Sequence, residues 1–303
     1  MRVLLLFPAA DGQTGSAINY AFRKLGHRVI CVDAKTHPDF SSSSAYHFNP
    51  DLVFCSRTYQ LTDEVEKIKK RFKDATICMW NVDSKINIYG WERLFPLVRL
   101  VDYYFVVEMT KIPEWKKINS NTYWLPQGVQ NEVYNKPKEI TDADKEKYAC
   151  DISFAGRARS WRKPFLNAVN GMNIDFKRWG LSRRSKIINE EHNKMVSMSK
   201  INLGCSGPGA IELKGNISVR DYKIMGAGGF LLEFYKESLK DIFPLGTMAT
   251  YTNPLNLIAS IEYWLEHEKE RKEIAERGYK WVHTNATYTH RIKMALDYMG
   301  VNS

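Results

Sequence analysis

Ser218-Val-Arg-Asp-Tyr-Lys-Ile-Met-Gly-Ala-Gly-Gly-Phe-Leu-Leu232 is a polar stretch that runs into a glycine-rich turn and then an apolar run. It reads as helix, tight turn and buried strand. Arg220 falls near the start of that helix, where its guanidinium joins the partial positive charge of unpaired backbone amides and makes a seat for a phosphate anion. Gly226, Gly228 and Gly229 allow a sharp turn and a close approach to a ligand. Taken alone, the same letters also fit a helix C-cap followed by a core strand, with Arg220 a solvated charge.

Working outward, the pattern recurs. A second strand-led set begins with Cys150-Asp-Ile-Ser-Phe-Ala155, turns at Gly156 and enters a basic segment, Arg157-Ala-Arg-Ser-Trp-Arg-Lys-Pro164. Strands are expected at 174–179, 201–204 and 230–232 and a helix at 189–199, with helical periodicity over 254–266, 269–282 and 287–299. Toward the N-terminus, residues 2–7 are continuously apolar. A loop, Ala9-Ala-Asp-Gly-Gln-Thr-Gly15, then leads into a helix over 16–25. Strands at 29–32, 51–55, 75–80, 103–107 and 122–125 alternate with helices, the clearest over 62–72. Fully apolar strands alternating with amphipathic helices imply parallel sheets covered on both faces. The expected organisation is α/β. A Rossmann-like domain over 1–128 is followed by a polar linker over 129–149 and a second Rossmann-like domain over 150–286. Two such domains are expected to face a central cleft, with loops at the carboxyl ends of strands lining it.

A chain of 303 residues, 44% of them hydrophobic, is long enough for two cores. The five cysteines are scattered without CxxC or Cys/His spacing, which argues against a disulfide framework or a metal site and favours a reducing, cytoplasmic setting. No run reaches the length of a membrane span. The net charge of +10 is uneven: residues 151–200 hold eleven Lys and Arg against four Asp and Glu, whereas residues 1–130 hold seventeen against thirteen. An anionic partner is implied for the middle of the chain, and charge alone does not choose between a nucleotide, a nucleic acid, a membrane surface and plain solvation.

Several segments in order carry a resemblance. They are Trp80-Asn-Val-Asp83, Tyr123-Trp-Leu-Pro-Gln-Gly128, Cys150-Asp-Ile-Ser-Phe-Ala-Gly156, Ser199-Lys-Ile-Asn-Leu203 and Val219-Arg-Asp-Tyr-Lys-Ile-Met-Gly-Ala-Gly-Gly229. Tyr251-Thr-Asn-Pro254, Ile261 to His267, Arg271, Gly278 and Thr287-Tyr-Thr-His-Arg291 complete the set. Together they resemble GT-B glycosyltransferases, most closely the spore-maturation (CgeB-type) group with its family 1-like C-terminal module. The resemblance implies a hexosyl- or pentosyltransferase that uses a nucleotide-diphosphate sugar, UDP-linked, without a metal. It also implies that residues 287–303 return to complete the first domain. Where such enzymes carry a Glu that binds the nucleotide ribose, this chain has Lys223, which cannot accept a hydrogen bond. Asp221 or Glu212 is then the substitute, unless the donor is unusual or part of the donor site is lost.

On this reading Gly156, Arg157, Lys163, Arg220, Tyr222, Lys223, Gly228 and Gly229 bind the donor. Arg157, Lys163 and Arg220 take the diphosphate as its charge develops, while Gly12 and Gly15 let the first loop approach the reacting centre. Arg159 and Arg162 are read as solvated, because a short loop cannot aim every charge inward. Asp11 and Asp83 are candidates for the base that takes the acceptor proton; alternatively, Asp11 belongs to a turn and Asp83 caps a helix. The acceptor is a glycan, a protein or a hydroxymethylated DNA base of the kind glycosylated in phage DNA. The competing class is a degenerate, non-catalytic module that binds a nucleotide, glycan or nucleic acid.

Overall fold

The computed structural model describes every residue except 86, 181–186, 206–216 and 302–303, and it leaves the side chain of residue 40 undescribed. The chain forms two compact units, Met1–Gln127 with Tyr288–Ser303, and Gly128–Thr287.

In the first unit, six parallel strands lie in the order β2-β1-β3-β4-β5-β6. They are β1 (Arg2–Leu6), β2 (Arg28–Val32), β3 (Leu52–Ser56), β4 (Thr76–Asn81), β5 (Tyr103–Val106) and β6 (Thr122–Trp124). Side chains alternate between the faces of a strand, and both faces here are apolar. Val3, Leu5, Phe54 and Trp80 enter one core, and Leu4, Leu6, Val53 and Met79 enter the other. Burying a side chain of this size contributes about 1.5–3 kcal/mol, which is why the strands read as unbroken hydrophobic runs. Helix α1 (Thr14–Lys24) covers the first face with Ala17, Ile18, Ala21 and Phe22. The closing helix, Tyr288–Tyr298, joins it there through Ile292, Ala295 and Leu296. Helices α2 (Phe40–Phe48), α3 (Thr62–Arg71), α4 (Phe95–Leu100) and α5 (Ile112–Lys116) connect the remaining strands, with Val65, Ile68, Leu97 and Trp115 filling the second face.

The second unit is a five-stranded parallel sheet in the order β11-β10-β9-β7-β8. Its strands are β7 (Cys150–Ala155), β8 (Phe176–Trp179), β9 (Ser199–Leu203), β10 (Leu231–Phe234) and β11 (Ala249–Tyr251). Helices α6 (Asp142–Tyr148), α7 (Lys163–Asn170), α8 (Asn189–Met198), α9 (Val219–Gly226), α10 (Leu239–Ile242), α11 (Pro254–Glu266) and α12 (Glu268–Asn285) complete it. The segment 129–149, expected as a linker, is part of this unit. It contains α6, whose start is held by a capping box between Thr141 and Asp144, and Val129 bridges to Thr287. All five cysteines are free, and among the described residues no helix is long and apolar enough to cross a membrane.

Each sheet has one point where consecutive connections leave in opposite directions. In the first unit it lies between β1 and β3, and in the second between β7 and β9. Connections diverge there at the carboxyl ends of the strands, the place where open α/β sheets bind ligands.

Candidate functional site

At the carboxyl ends of β7 and β9, two guanidinium groups converge. Arg220 sits in the first turn of α9, whose N-cap Ser218 accepts from the Arg220 amide at 3.3 Å. Its Nε donates to the Ala155 carbonyl at the end of β7, 2.8 Å away. Arg162 comes from the turn before α7; its Nε donates to the Cys205 carbonyl just past β9 at 2.8 Å, and its Nη1 to the Arg157 carbonyl at 2.9 Å. Both guanidinium groups lie over the Phe154 ring, with centroid distances of 5.5 Å for Arg162 and 5.1 Å for Arg220. The pairing costs electrostatic energy: the Arg162 pKa is pushed down to about 10, by burial first and then by Arg220. Arg220 Nη1 is buried without a hydrogen-bond partner among the described residues. Half-buried charges of one sign held together call for an anion.

Gly156 is needed because a Cβ there would lie 2.7 Å from Arg220 Nη2. Beneath the arginines, Asp221, Glu233 and Lys236 are buried. Burial, then the Glu233 charge, pushes the Asp221 pKa well above the usual carboxylate range, against the pull of Arg220 and Lys236. Lys223 lies one turn along α9 from Arg220, with its ammonium 4.3 Å from the centroid of the Tyr134 ring. Tyr134 meets the fully buried His192 edge-on, and the His192 pKa is lowered to about 3 by burial, then by Lys223 and Arg220.

The expected site residues take these places in the structure. Arg162, expected in solvent, is the partner of Arg220, because its carbonyl contacts fold it inward. The side chains of Arg157 and Lys163, expected on the diphosphate, are exposed, as is that of Arg159. Tyr222 is fully buried with its ring against Phe243, so it offers no surface to a donor. Gly228 and Gly229 lie at the far end of α9. Because β9 and β10 are parallel, the helix between them must run back to the amino edge of the sheet, which puts its C-terminal turn there. Gly228 has φ +78, and a Cβ on Gly229 would enter Val196 and the Asn202 side chain. These glycines serve turn and packing. Glu212, the alternative ribose partner, and most of the 204–209 loop lie outside the described residues. Phe154 and Glu233 were not singled out from sequence, and Arg162 was read only as a solvated charge. A visible signal existed for Glu233 alone, a single acid inside the apolar run Phe230-Leu-Leu-Glu-Phe234.

The corresponding point of the first unit is built differently. Gly12 takes φ +72 in the loop after β1. A Cβ on Gly15 would strike the Pro8 carbonyl, so this glycine lets α1 start hard against the end of β1. Asp11 is exposed on that loop. Asp83, after β4, is engaged by Arg57, which follows β3. Arg57 and Lys85 both stack on Trp91, at 4.9 Å and 4.3 Å from its centroid. Asp83 is thus an ion-paired group, neither free nor a helix cap. A concavity of about 620 Å³ lined by Arg2, Tyr46, Asp51 and Phe72 opens at the amino edge of this sheet, opposite the carboxyl ends of its strands.

Comparison with solved structures gives the fold its name. The chain superposes on HepE (Alr3699) of Anabaena, solved with UDP and glucose, with a TM-score of 0.67 at 10% identity over 99% of both chains. Sucrose-phosphate synthase of Thermosynechococcus elongatus gives a TM-score of 0.71 at 12% identity, over 99% of this chain and 98% of that one. An alpha-glucosyltransferase bound to UDP and a 13-mer DNA containing a HMU base gives 0.69 at 12% identity over 99% of both. The two Rossmann-like halves are those of the GT-B fold. No curated protein sequence matches the chain significantly. Residues 138–297 match the family described as glycosyl transferase-like, 160 of the 303 residues, and this span contains every group at the carboxyl ends of β7 and β9. By that match the chain belongs to the glycosyl transferase-like family.

Proposed function

We propose that the protein transfers a sugar from a UDP-linked donor to an acceptor hydroxyl without a metal, and that it groups with the spore-maturation CgeB-type enzymes. The observation that carries this reading is the pair Arg162 and Arg220, stacked on Phe154 with Arg220 Nη1 buried and unfilled among the described residues. In the transfer, the bond from the anomeric carbon to the diphosphate oxygen breaks and a bond to the acceptor oxygen forms. The acceptor proton passes to a base and the nucleoside diphosphate departs. Arg162 and Arg220 hold the charge that grows on the departing oxygen, a task suited to preorganised cations in a partly dry site. Asp11 is the stronger candidate for the base, since Arg57 already holds Asp83.

UDP is the favoured nucleotide because similar structures were solved with it. The acceptor is a glycan, a protein hydroxyl or a hydroxymethylated base, and the sugar is a hexose or a pentose. A thermal-shift panel of UDP, GDP, ADP and CDP tests the donor assignment, with Arg220→Ala as control. Ligand at a hundred times its dissociation constant stabilises the fold by about 2.7 kcal/mol. A shift for UDP that the variant loses supports the assignment, and no shift with any nucleotide overturns it. Slow UDP-sugar hydrolysis without acceptor marks an enzyme. Binding with neither hydrolysis nor transfer marks a non-catalytic module.

A further inference from the structure

Below its two guanidinium groups the second unit buries a pair of acids. Glu233 lies fully covered in β10, and Asp221 is buried in the first turn of α9. Gly204, just past β9, stands beside Glu233, because Leu203 pairs with Leu232. A Cβ on Gly204 would overlap the Glu233 carboxyl group, so this acid can lie there only against a glycine. The two acid side chains are hydrogen-bonded to each other. An ionised carboxylate only accepts, so such a bond needs a proton on one partner. Arg220 and Lys236 pull Asp221 toward its charged form, and both acids in turn act on Arg162. The other titratable groups at this point are neutral near pH 7. Burial pushes the Cys205 thiol up to about 11 and Tyr251 well above the ordinary tyrosine range. His192 on α8 is lowered to about 3 by burial, then by Lys223 and Arg220. That leaves the acid pair, among the described residues, to answer a change of charge at the arginines.

We infer that Asp221 and Glu233 share one proton in the free protein and take up a second as a diphosphate settles on Arg162 and Arg220, which makes donor binding proton-linked. The arriving negative charge engages both guanidinium groups and repels the remaining carboxylate, and a like charge nearby favours the neutral form of an acid. When the nucleoside diphosphate leaves, the proton returns to solvent and the carboxylate again balances the arginines. Asp221 and Glu233 are thus positioning residues, acting on the donor through Arg162 and Arg220. The identity of the anion is that of the transferase reading, on which this linkage rests.

The test is isothermal titration calorimetry of wild type with UDP-glucose, whose diphosphate is esterified at both ends and does not itself titrate near neutrality. Titrations in Pipes and in imidazole, buffers of different ionisation enthalpy, give the protons exchanged on binding. Uptake of about half a proton or more per ligand is expected, with affinity rising about fivefold or more from pH 8 to pH 6.5. Glu233→Gln should remove both the uptake and the pH dependence. Infrared spectroscopy of the unliganded protein at pH 7 reads the shared proton separately: wild type should show the carbonyl band of a protonated carboxyl group, and Glu233→Gln should lose it. UDP-glucose binding with no proton exchange and no pH dependence overturns the inference and leaves the transferase reading standing. A carbonyl band that survives Glu233→Gln overturns the sharing. No binding of UDP-glucose at any pH overturns the donor assignment and the linkage together. Should Glu233→Gln not fold, the wild-type titrations decide alone.

Discussion

The two reversal points, one in each sheet, use the same residue types to opposite effect. In the first unit the cation after β3, Arg57, has a carboxylate, Asp83, and a ring, Trp91, so its charge is settled within the protein. In the second, Arg162 and Arg220 share one ring, face each other at an electrostatic cost, and have carbonyls where carboxylates might have been. Fold topology alone would nominate both places for ligand binding. Charge satisfaction separates them: a cation already ion-paired asks for nothing, and a pair of cations with no ion pair among the described residues calls for an anion.

The contrast breaks first at the second reversal point. Arg220→Ala and Arg162→Ala are each expected to weaken UDP binding about tenfold to a hundredfold, the range for losing hydrogen bonds from a charged donor. Isothermal titration calorimetry reads this directly. Lys163→Ala should stay within about twofold of wild type. A Lys163 variant as impaired as the Arg162 variant would return the diphosphate to the exposed side chains and dissolve the distinction.

The reach of the cations on α9 is measurable at His192. Its folded pKa of about 3 lies below the ordinary 6.5, owing to burial and then to Lys223 and Arg220. For such a group the stabilisation is complete above pH 6.5 and is lost as the pH falls, because the unfolded chain takes up a proton that the folded one refuses. Between pH 7.5 and pH 5 this amounts to about 2 kcal/mol. Urea denaturation of wild type and His192→Gln at both pH values isolates it: the gap between the two proteins should shift by that amount, with wild type losing more on acidification. A gap that does not change with pH would mean that His192 takes up its proton in the fold as readily as in the unfolded chain.

How much of this was readable beforehand differs from residue to residue. Apolar runs placed β1, β3 and β4 to within a residue or so, because a strand covered on both faces has few polar positions to blur its ends. The three-residue β11 and the short helices α4 and α5 escaped, since one turn or three residues leave no periodicity to read. Arg220 and Gly156 were legible through their places before a helix and after a strand. Arg162 was not: which of four neighbouring cations turns inward depends on carbonyls supplied by residues 157 and 205, and the second is distant in sequence. Gly228 and Gly229 misled for a related reason. A glycine turn looks alike at either end of a helix, and only the parallel pairing of β9 with β10 shows that theirs lies on the edge away from Arg220.

The smallest expected effect tests the quiet side of the comparison. Arg57 and Asp83 form an ion pair whose side chains are 37% and 52% exposed, so Asp83→Asn should cost under about 1 kcal/mol of stability. If Asp83 serves only to settle Arg57, this variant should transfer sugar at a rate within a few fold of wild type. Asp11→Asn, lying on the loop after β1, should lose a hundredfold or more if that group takes the acceptor proton. Single-turnover transfer assays on the two variants decide the matter. A large loss in the Asp83 variant with a mild one in the Asp11 variant would make the paired carboxylate the working group, and charge satisfaction would then fail as a guide to which side chains in this fold meet a ligand.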